Sequence, residues 1–282
     1  MWKYKLCLGT SGAFPISLCE QVRLFHRTGF EAFFTEWQRG DDLTALAALS
    51  KELGMIFQSV HAPFGKSRDM WHGDAEKAKQ AVSELVECVD ECAKQSVPLM
   101  VAHAFIGFED HTPTAQGLEN YGKVIEYARE KGVKIAFENT EGEEYLAALM
   151  NEFSRCENVG FCWDTGHEMC YNRSQDLLSL YGDRLLCTHI NDNLGIRDSD
   201  GRITYIDDLH LLPFDGIADW DDIAARLDKC GFDGVMTFEL STVSKPGRHE
   251  NDIYRDMKFD SYIAECYKRA CRVAAKRKGY KK

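Results

Sequence analysis

The segment GFCWDTGHE, Gly160 to Glu168, runs from apolar and aromatic residues straight into Asp164, with His167 three positions further on. A buried charge needs a counter-charge or a metal, so a strand that closes on a carboxylate and an imidazole must face a cation of some kind. The same ending recurs along the chain. Apolar runs close on Glu36 and Trp37, then on His61, His103, Glu138, Asp164, His189 and Glu239, and a polar stretch adds Asp208-x-His210. Each of these has an ordinary explanation when taken alone: a lone histidine at a strand end is usually a hydrogen-bonded structural residue, and a lone acid there often caps the next helix. Their convergence is what needs a cation. Five of the nine histidines (His61, His103, His167, His189, His210) fall in the set. Imidazole with carboxylate suits zinc, manganese, cobalt or iron better than calcium. With no cysteine in the set, a structural zinc site is disfavoured. The cofactor implied is a divalent metal ion.

The elements that would position these residues alternate. Strand candidates are 5–10, 32–37, 55–63, 99–105, 134–140, 159–165, 185–192 and 234–240, eight in all. They read as continuous apolar runs, which suits strands buried on both faces. Between them lie helical patterns. Ser17-x-x-Glu20 has the form of a capping box, and residues 75–95 place Ala78, Ala81, Leu85, Val89 and Cys92 on one face. Further helices are read at 117–131, 143–153, 220–230 after an Asp219 cap, and about 253–277. Strand then helix, eight times, with no linker of distinct composition, predicts an α/β fold: a single (β/α)8 TIM barrel over residues 1–282 with a C-terminal helix. Segment 193–218, after the seventh strand, is too long for a plain connection and reads as a functional loop. The basic tail 276–282 reads as solvated and frayed. In such a barrel the active site lies where the strands end, at the C-terminal face, which is where seven of the eight candidate strands carry a metal-ligand residue type.

The formal net charge of −11 gives no electrostatic support for binding nucleic acid or an anionic membrane. The first residues, MWKYKLCLGTSGAF, lack the apolar run of a signal peptide, and no segment is long enough to span a bilayer. Eleven scattered cysteines without a CxxC pair read as reduced, mostly buried thiols. The expected setting is cytoplasmic. Association into an oligomer stays open.

At the strand ends the motifs FENT, CWDTGH, HIND, HLLPFDGIADW and TFEL, in this order, resemble the xylose isomerase-like barrel superfamily over essentially the whole chain. The resemblance to its sugar isomerases and epimerases implies one divalent metal held by Glu138, Asp164, His189 and Glu239. In these enzymes the metal stabilises an enediolate, and Glu138 and Glu239 would exchange the proton as general acid and base. It also implies a small-molecule sugar or polyol as the partner, with His167 and Glu36 holding hydroxyls and Trp37 or a loop phenylalanine covering the apolar face of the sugar. A lyase or dehydratase acting from the same enediolate stays open. A second branch, similar to endonuclease IV, implies a three-zinc phosphodiesterase that would use His61, His103, Glu138, Asp164, His167, His189, Asp208, His210 and Glu239 as ligands. Two features favour the sugar branch. The loop GTSGAFP carries no base to grip phosphate, and HLLPFDGIADW resembles the sugar branch's H-x-x-P-G-x-G-x-x-D-W. It departs from that pattern at Phe214, where a glycine is expected.

Overall fold

The eight apolar runs form eight strands in a computed structural model that describes residues 4–109 and 111–278. They are β1 (Leu6–Gly9), β2 (Ala32–Glu36), β3 (Ile56–His61), β4 (Leu99–His103), β5 (Lys134–Glu138), β6 (Val159–Asp164), β7 (Leu185–His189) and β8 (Met236–Phe238). All pair in parallel, in the order β7-β6-β5-β4-β3-β2-β1-β8. The gap between β7 and β8 is closed by a parallel bridge at Ile190 and Phe238, where Ile190 N donates to Thr237 O at 2.8 Å. The (β/α) barrel expected from the alternation is therefore the fold observed. The barrel interior is filled by small apolar groups such as Val101, Ala136, Cys162 and Cys187, and the larger core lies between strands and surrounding helices.

The helices start where the chain supplies caps. Ser17 and Glu20 form the capping box of helix Leu18–Thr28, Asp74 caps Ala75–Gln95, and Asp219 caps Trp220–Lys229. Each cap satisfies backbone N–H groups that have no partner within the helix. The helices read at 117–131 and 143–153 are Ala115–Lys131 and Glu143–Glu152.

The segment after β7 is organised by a single carboxylate. Asp192 is fully buried and accepts from the backbone N–H of Asn193, Phe214 and Ala218 and from Trp220 Nε1, at 2.8–3.2 Å. These bonds hold Phe214 at φ +75°, the left-handed region that glycine adopts without cost. The phenylalanine keeps the conformation the glycine pattern demands. Its ring packs on Trp220 at 5.4 Å and beneath the Arg272 guanidinium at 3.8 Å.

The C-terminus departs from expectation. The single helix read at 253–277 is two, Asp252–Arg255 and Phe259–Ala274. The tail is not frayed at Arg277, which is 1% exposed. Its guanidinium donates to Asp228 at 2.9 Å and to the carbonyls of Phe232 and Leu227, and it lies over the Tyr4 ring at 4.2 Å. A run of basic residues looks solvated in sequence, but here one of them closes the bottom of the barrel. Residues 279–282 of the tail lie outside the described residues. Arg277→Ala should therefore lower unfolding stability by about 3 kcal/mol, because it removes a buried side chain and leaves the Leu227 and Phe232 carbonyls and the half-buried Asp228 carboxylate short of a donor. Lys278→Ala, at an exposed position, should stay within about 0.5 kcal/mol. Chemical denaturation of both variants checks the contrast.

Candidate active site

The strand-end residues meet at the C-terminal mouth of the barrel, around a cavity of about 230 Å³. That is below the roughly 300–1,000 Å³ of pockets for drug-sized ligands, a scale suited to a small molecule. Glu36, His61, His103, Glu138, His167, Asp208, His210 and Glu239 line it, together with Phe34 and Phe64.

Glu138, the last residue of β5, is at the centre and has no exposed surface. His189 Nδ1 lies 2.9 Å from its Oε1, and His61 Nε2 lies 3.1 Å from its Oε2. His103 Nε2 and His167 Nδ1 follow at 3.4 and 3.5 Å. Burial alone would raise the pKa of this carboxyl, but His189, His103 and His61 outweigh it and hold the group well below the ordinary range. Glu239 approaches the same His189 Nδ1 at 3.2 Å. Burial opposes its ionisation too, yet His189 and His210 bring its pKa down to about 2. Asp164 differs. Its Oδ1 caps the helix that follows by accepting from His167 N at 2.6 Å, its Oδ2 accepts from Asn191 Nδ2 at 2.8 Å, and burial raises its pKa to about 6.

The long loop supplies Asp208 and His210, which sit 2.8 Å apart, with His167 Nε2 at 3.3 Å from the same Asp208 oxygen. His210 is held at φ +47°, a strained setting for a residue other than glycine. The segment after β8 keeps it there. Ser241 N donates to His210 O at 3.0 Å, the buried Arg248 pairs with Asp207 at 3.0 Å, and Asn251 Nδ2 donates to Leu209 O at 3.1 Å.

The ring resolves into three sets whose donor atoms lie within 4.8 Å of one another: His61, His103 and Glu138; Glu138, Asp164, His189 and Glu239; and His167, Asp208 and His210. Burial works to lower the pKa of each histidine and prevails at His103, whereas carboxylates reverse it at His61, His167 and His210, and Cys162 with Glu138 and Glu239 reverses it at His189. His167 and His189 are pushed well above their usual value and His210 to about 9. Protons thus stand among the carboxylates, and any cation bound there would have to displace them.

Two predicted residues sit differently from the rest. Trp37 is buried and its indole N–H donates to Asp41 O at 3.1 Å, so it belongs to the core and not to the cavity wall. The aromatic face expected from it comes from Phe64, which stacks on His103 at 4.5 Å. Glu36 lies at the rim, still exposed as a residue, and loss of water around its carboxyl raises its pKa. Other residues of the site carry no ligand signal in sequence. Asn139 bridges β5 to β6, accepting from Asp164 N at 2.7 Å and donating to Asp164 O at 2.9 Å. Lys245 Nζ pairs with Asp208 at 3.0 Å. Glu168, the last residue of the GFCWDTGHE segment, is structural: it binds Arg226 at 2.6 and 2.9 Å and Trp163 Nε1 at 2.8 Å.

A parallel barrel with imidazoles and carboxylates gathered at the C-terminal mouth defines a class, and the comparisons place the chain within it. Residues 22–276 match the xylose isomerase-like TIM barrel family, and the chain belongs to that family. The uncharacterized protein y4fM of Sinorhizobium fredii (strain NBRC 101917 / NGR234) is 31% identical over 178 residues, 57% of this chain. The matched part is 53% of y4fM, so the chain spans about half the length of this curated relative. Among solved structures, the IOLI protein with a binding zinc atom superposes with a TM-score of 0.76 at 20% identity, covering 96% of this chain and 98% of that one. An L-ribulose 3-epimerase superposes at 0.70 and 16% identity, covering 96% and 94%. At these identities the likeness establishes the fold.

The support behind Asp164 can be tested directly. A Cβ on Gly166 would lie 1.9 Å from Asn191 Oδ1, so Gly166→Ala must displace the amide that holds Asp164 Oδ2. Loss of such an outer partner typically weakens metal binding about 10- to 100-fold. Titration of the variant with manganese or zinc should show a drop of that size although every donor residue remains.

Proposed function

We propose that the chain is a metal-dependent isomerase or epimerase of a sugar or cyclitol. The observation that carries this reading is the pair of carboxylates, Glu138 at the end of β5 and Glu239 just past β8, placed 2.9 and 3.2 Å from the same nitrogen of His189. Glu138, Asp164, His189 and Glu239 would hold one divalent ion, a three-oxygen, one-nitrogen set suited to manganese, cobalt, iron or zinc. That ion supplies a Lewis acid that polarises a substrate carbonyl and stabilises charge on the adjacent hydroxyl oxygen. The epimerase and zinc in the names of structural neighbours support the reading.

The chain's own residues do the rest. Glu138 is sealed from solvent, whereas the Glu239 side chain is 20% exposed. Both are ionised, and each is poised to take a proton from a carbon held between them. A proton taken by Glu239 exchanges with water. His167, His210 and Glu36 offer hydrogen bonds to hydroxyls, and the Phe64 ring offers an apolar face. A dehydratase would start with the same proton abstraction and then expel a hydroxyl.

A second reading follows from the three donor sets, which match the ligand requirement of a three-metal phosphodiesterase. Against it, no lysine or arginine lines the cavity among the described residues. Of the basic residues that could meet a phosphate, Lys66, Arg68, Arg197 and Arg202, two are paired with acids, Lys66 with Glu84 and Arg202 with Asp198. Elemental mass spectrometry of protein purified without chelator separates the two readings. About one ion per chain supports the isomerase, while three zinc ions make abasic DNA the substrate to test.

Two further outcomes are expected. With ketoses or inososes in heavy water, Glu239→Gln should abolish hydrogen exchange at the carbon next to the carbonyl while keeping some metal binding. Exchange at the native rate would remove Glu239 from the acid/base role. Metal uptake should also release protons in a pH-dependent way. His189, with its raised pKa, carries a proton at neutral pH that the ion must displace, and Asp164 adds a second below about pH 6. Log affinity should therefore rise with pH with a slope of about one near pH 7, steepening to about two below pH 6. Calorimetry in buffers of different ionisation enthalpy reads both slopes.

A further inference from the structure

Directly behind the carboxylate set lies a second group of donors that the proposed reaction does not use. Cys162 on β6 and Cys187 on β7 are register partners on neighbouring strands, and both are fully buried. Their sulfurs and a ring nitrogen of His189 lie within 4.8 Å of one another. His189 Nδ1 is committed to Glu138 and Glu239. Its other nitrogen, Nε2, is buried and has no hydrogen-bond partner. A histidine that ligates a metal normally donates its second N–H to a carboxylate, carbonyl or water. Here that nitrogen is left without an acceptor, in a group with two thiols. Gln58 Nε2 lies 3.1 Å from Cys187 Sγ and closes the group from β3.

We infer that Cys162, Cys187 and His189 Nε2 form a binding site for a thiophilic divalent ion, separate from the carboxylate set and sharing only the His189 ring with it. Three considerations support the inference. Donors about 2.3 Å from a common ion lie roughly 4 Å from one another, and the group meets that spacing with small adjustments. Two thiolates and one neutral imidazole around a divalent ion carry no net charge. A site with no exposure to water tolerates such a complex far better than a charged one. Sulfur donors select soft d10 ions, whereas the three carboxylates select harder ones, so one ring would separate two classes of metal. Binding releases the two thiol protons and the proton that His189 Nε2 carries when the ring is an imidazolium, and needs no oxidant. The inference holds under either reading of the carboxylate site.

Cadmium is the probe, because thiolate-bound cadmium gives an ultraviolet charge-transfer band and carboxylate-bound cadmium does not. Cys88 and Cys92, a turn apart on helix Ala75–Gln95, are the competing thiol pair, so the experiment starts from the Cys88→Ala/Cys92→Ala chain. Cadmium added to this chain under reducing conditions should produce the band, saturating at one thiolate-bound ion, and adding Cys162→Ala or Cys187→Ala should abolish it. Cadmium NMR of the Cys88→Ala/Cys92→Ala chain gives a second reading that needs no change at the site, through a resonance in the sulfur-ligated range. No band, a band that survives both added substitutions, or resonances only in the oxygen-ligated range would overturn the site and leave the thiols as filling for the barrel interior.

Discussion

A carboxylate with no access to water, Glu138, is the constraint around which this barrel mouth is built. Burying such a charge costs several kcal/mol unless partners surround it. The partners come from the ends of β3, β4 and β7 and from the turn after β6, as His61, His103, His189 and His167. No local segment could satisfy Glu138. Only a closed parallel barrel brings four such ends within hydrogen-bonding distance of one side chain. The fold and the charge therefore depend on each other: the barrel creates a dry mouth, and the imidazoles make that mouth tolerable for an anion.

Around this centre the chain accepts local strain to fix orientation. Gly9 on β1 leaves room for the Phe34 ring, since a Cβ there would approach it to 2.6 Å. That ring stacks on His189 at 4.9 Å and sets the plane in which the imidazole presents its two nitrogens. On the far side, His210 and Phe214 both take left-handed backbone angles, each at a cost of order 1–2 kcal/mol. The buried Asp192 carboxylate and the Arg248–Asp207 pair offset that cost. Strain placed beside the cavity and relieved by buried ionic groups one layer away keeps a long loop from drifting.

Much of this was legible in the sequence, and what was not has a common cause. The strands and the ring of Glu138, Asp164, His189 and Glu239 could be read because residue type at a strand end reports position directly. Asp208-x-His210 could be read because the loop was too long to be a connection. Side-chain direction could not. Trp37 and Phe64 are both aromatic residues just past a strand, and only packing decides that the first turns into the core and the second faces the cavity. The same limit hid Arg277, whose burial depends on carbonyls some 45–50 residues earlier, and the Lys245 contact with Asp208, which joins two loops. Cys162 and Cys187 looked like scattered thiols because parallel register, not sequence spacing, sets them side by side.

Charge arithmetic separates the three donor sets more sharply than geometry does. The central set holds three carboxylates against one imidazole, so it carries about three negative charges when His189 is neutral and strongly favours a divalent ion. The set of His61 and His103 owns no carboxylate except the shared Glu138, whose charge an ion in the central set would already meet. The set of His167, Asp208 and His210 has one carboxylate, and Lys245 sits on its second oxygen at 3.0 Å. With Lys245 that set is neutral when its two imidazoles are neutral and positive when they are protonated, so a divalent ion there would stand beside a fixed ammonium with no excess negative charge to hold it. Removing water raises the cost of that repulsion. On the proposed reading this balance would put one ion among the carboxylates and leave the flanking imidazoles as hydrogen-bonding groups for the oxygens of a polyol, the division of labour that a sugar isomerase requires and a three-metal nuclease does not.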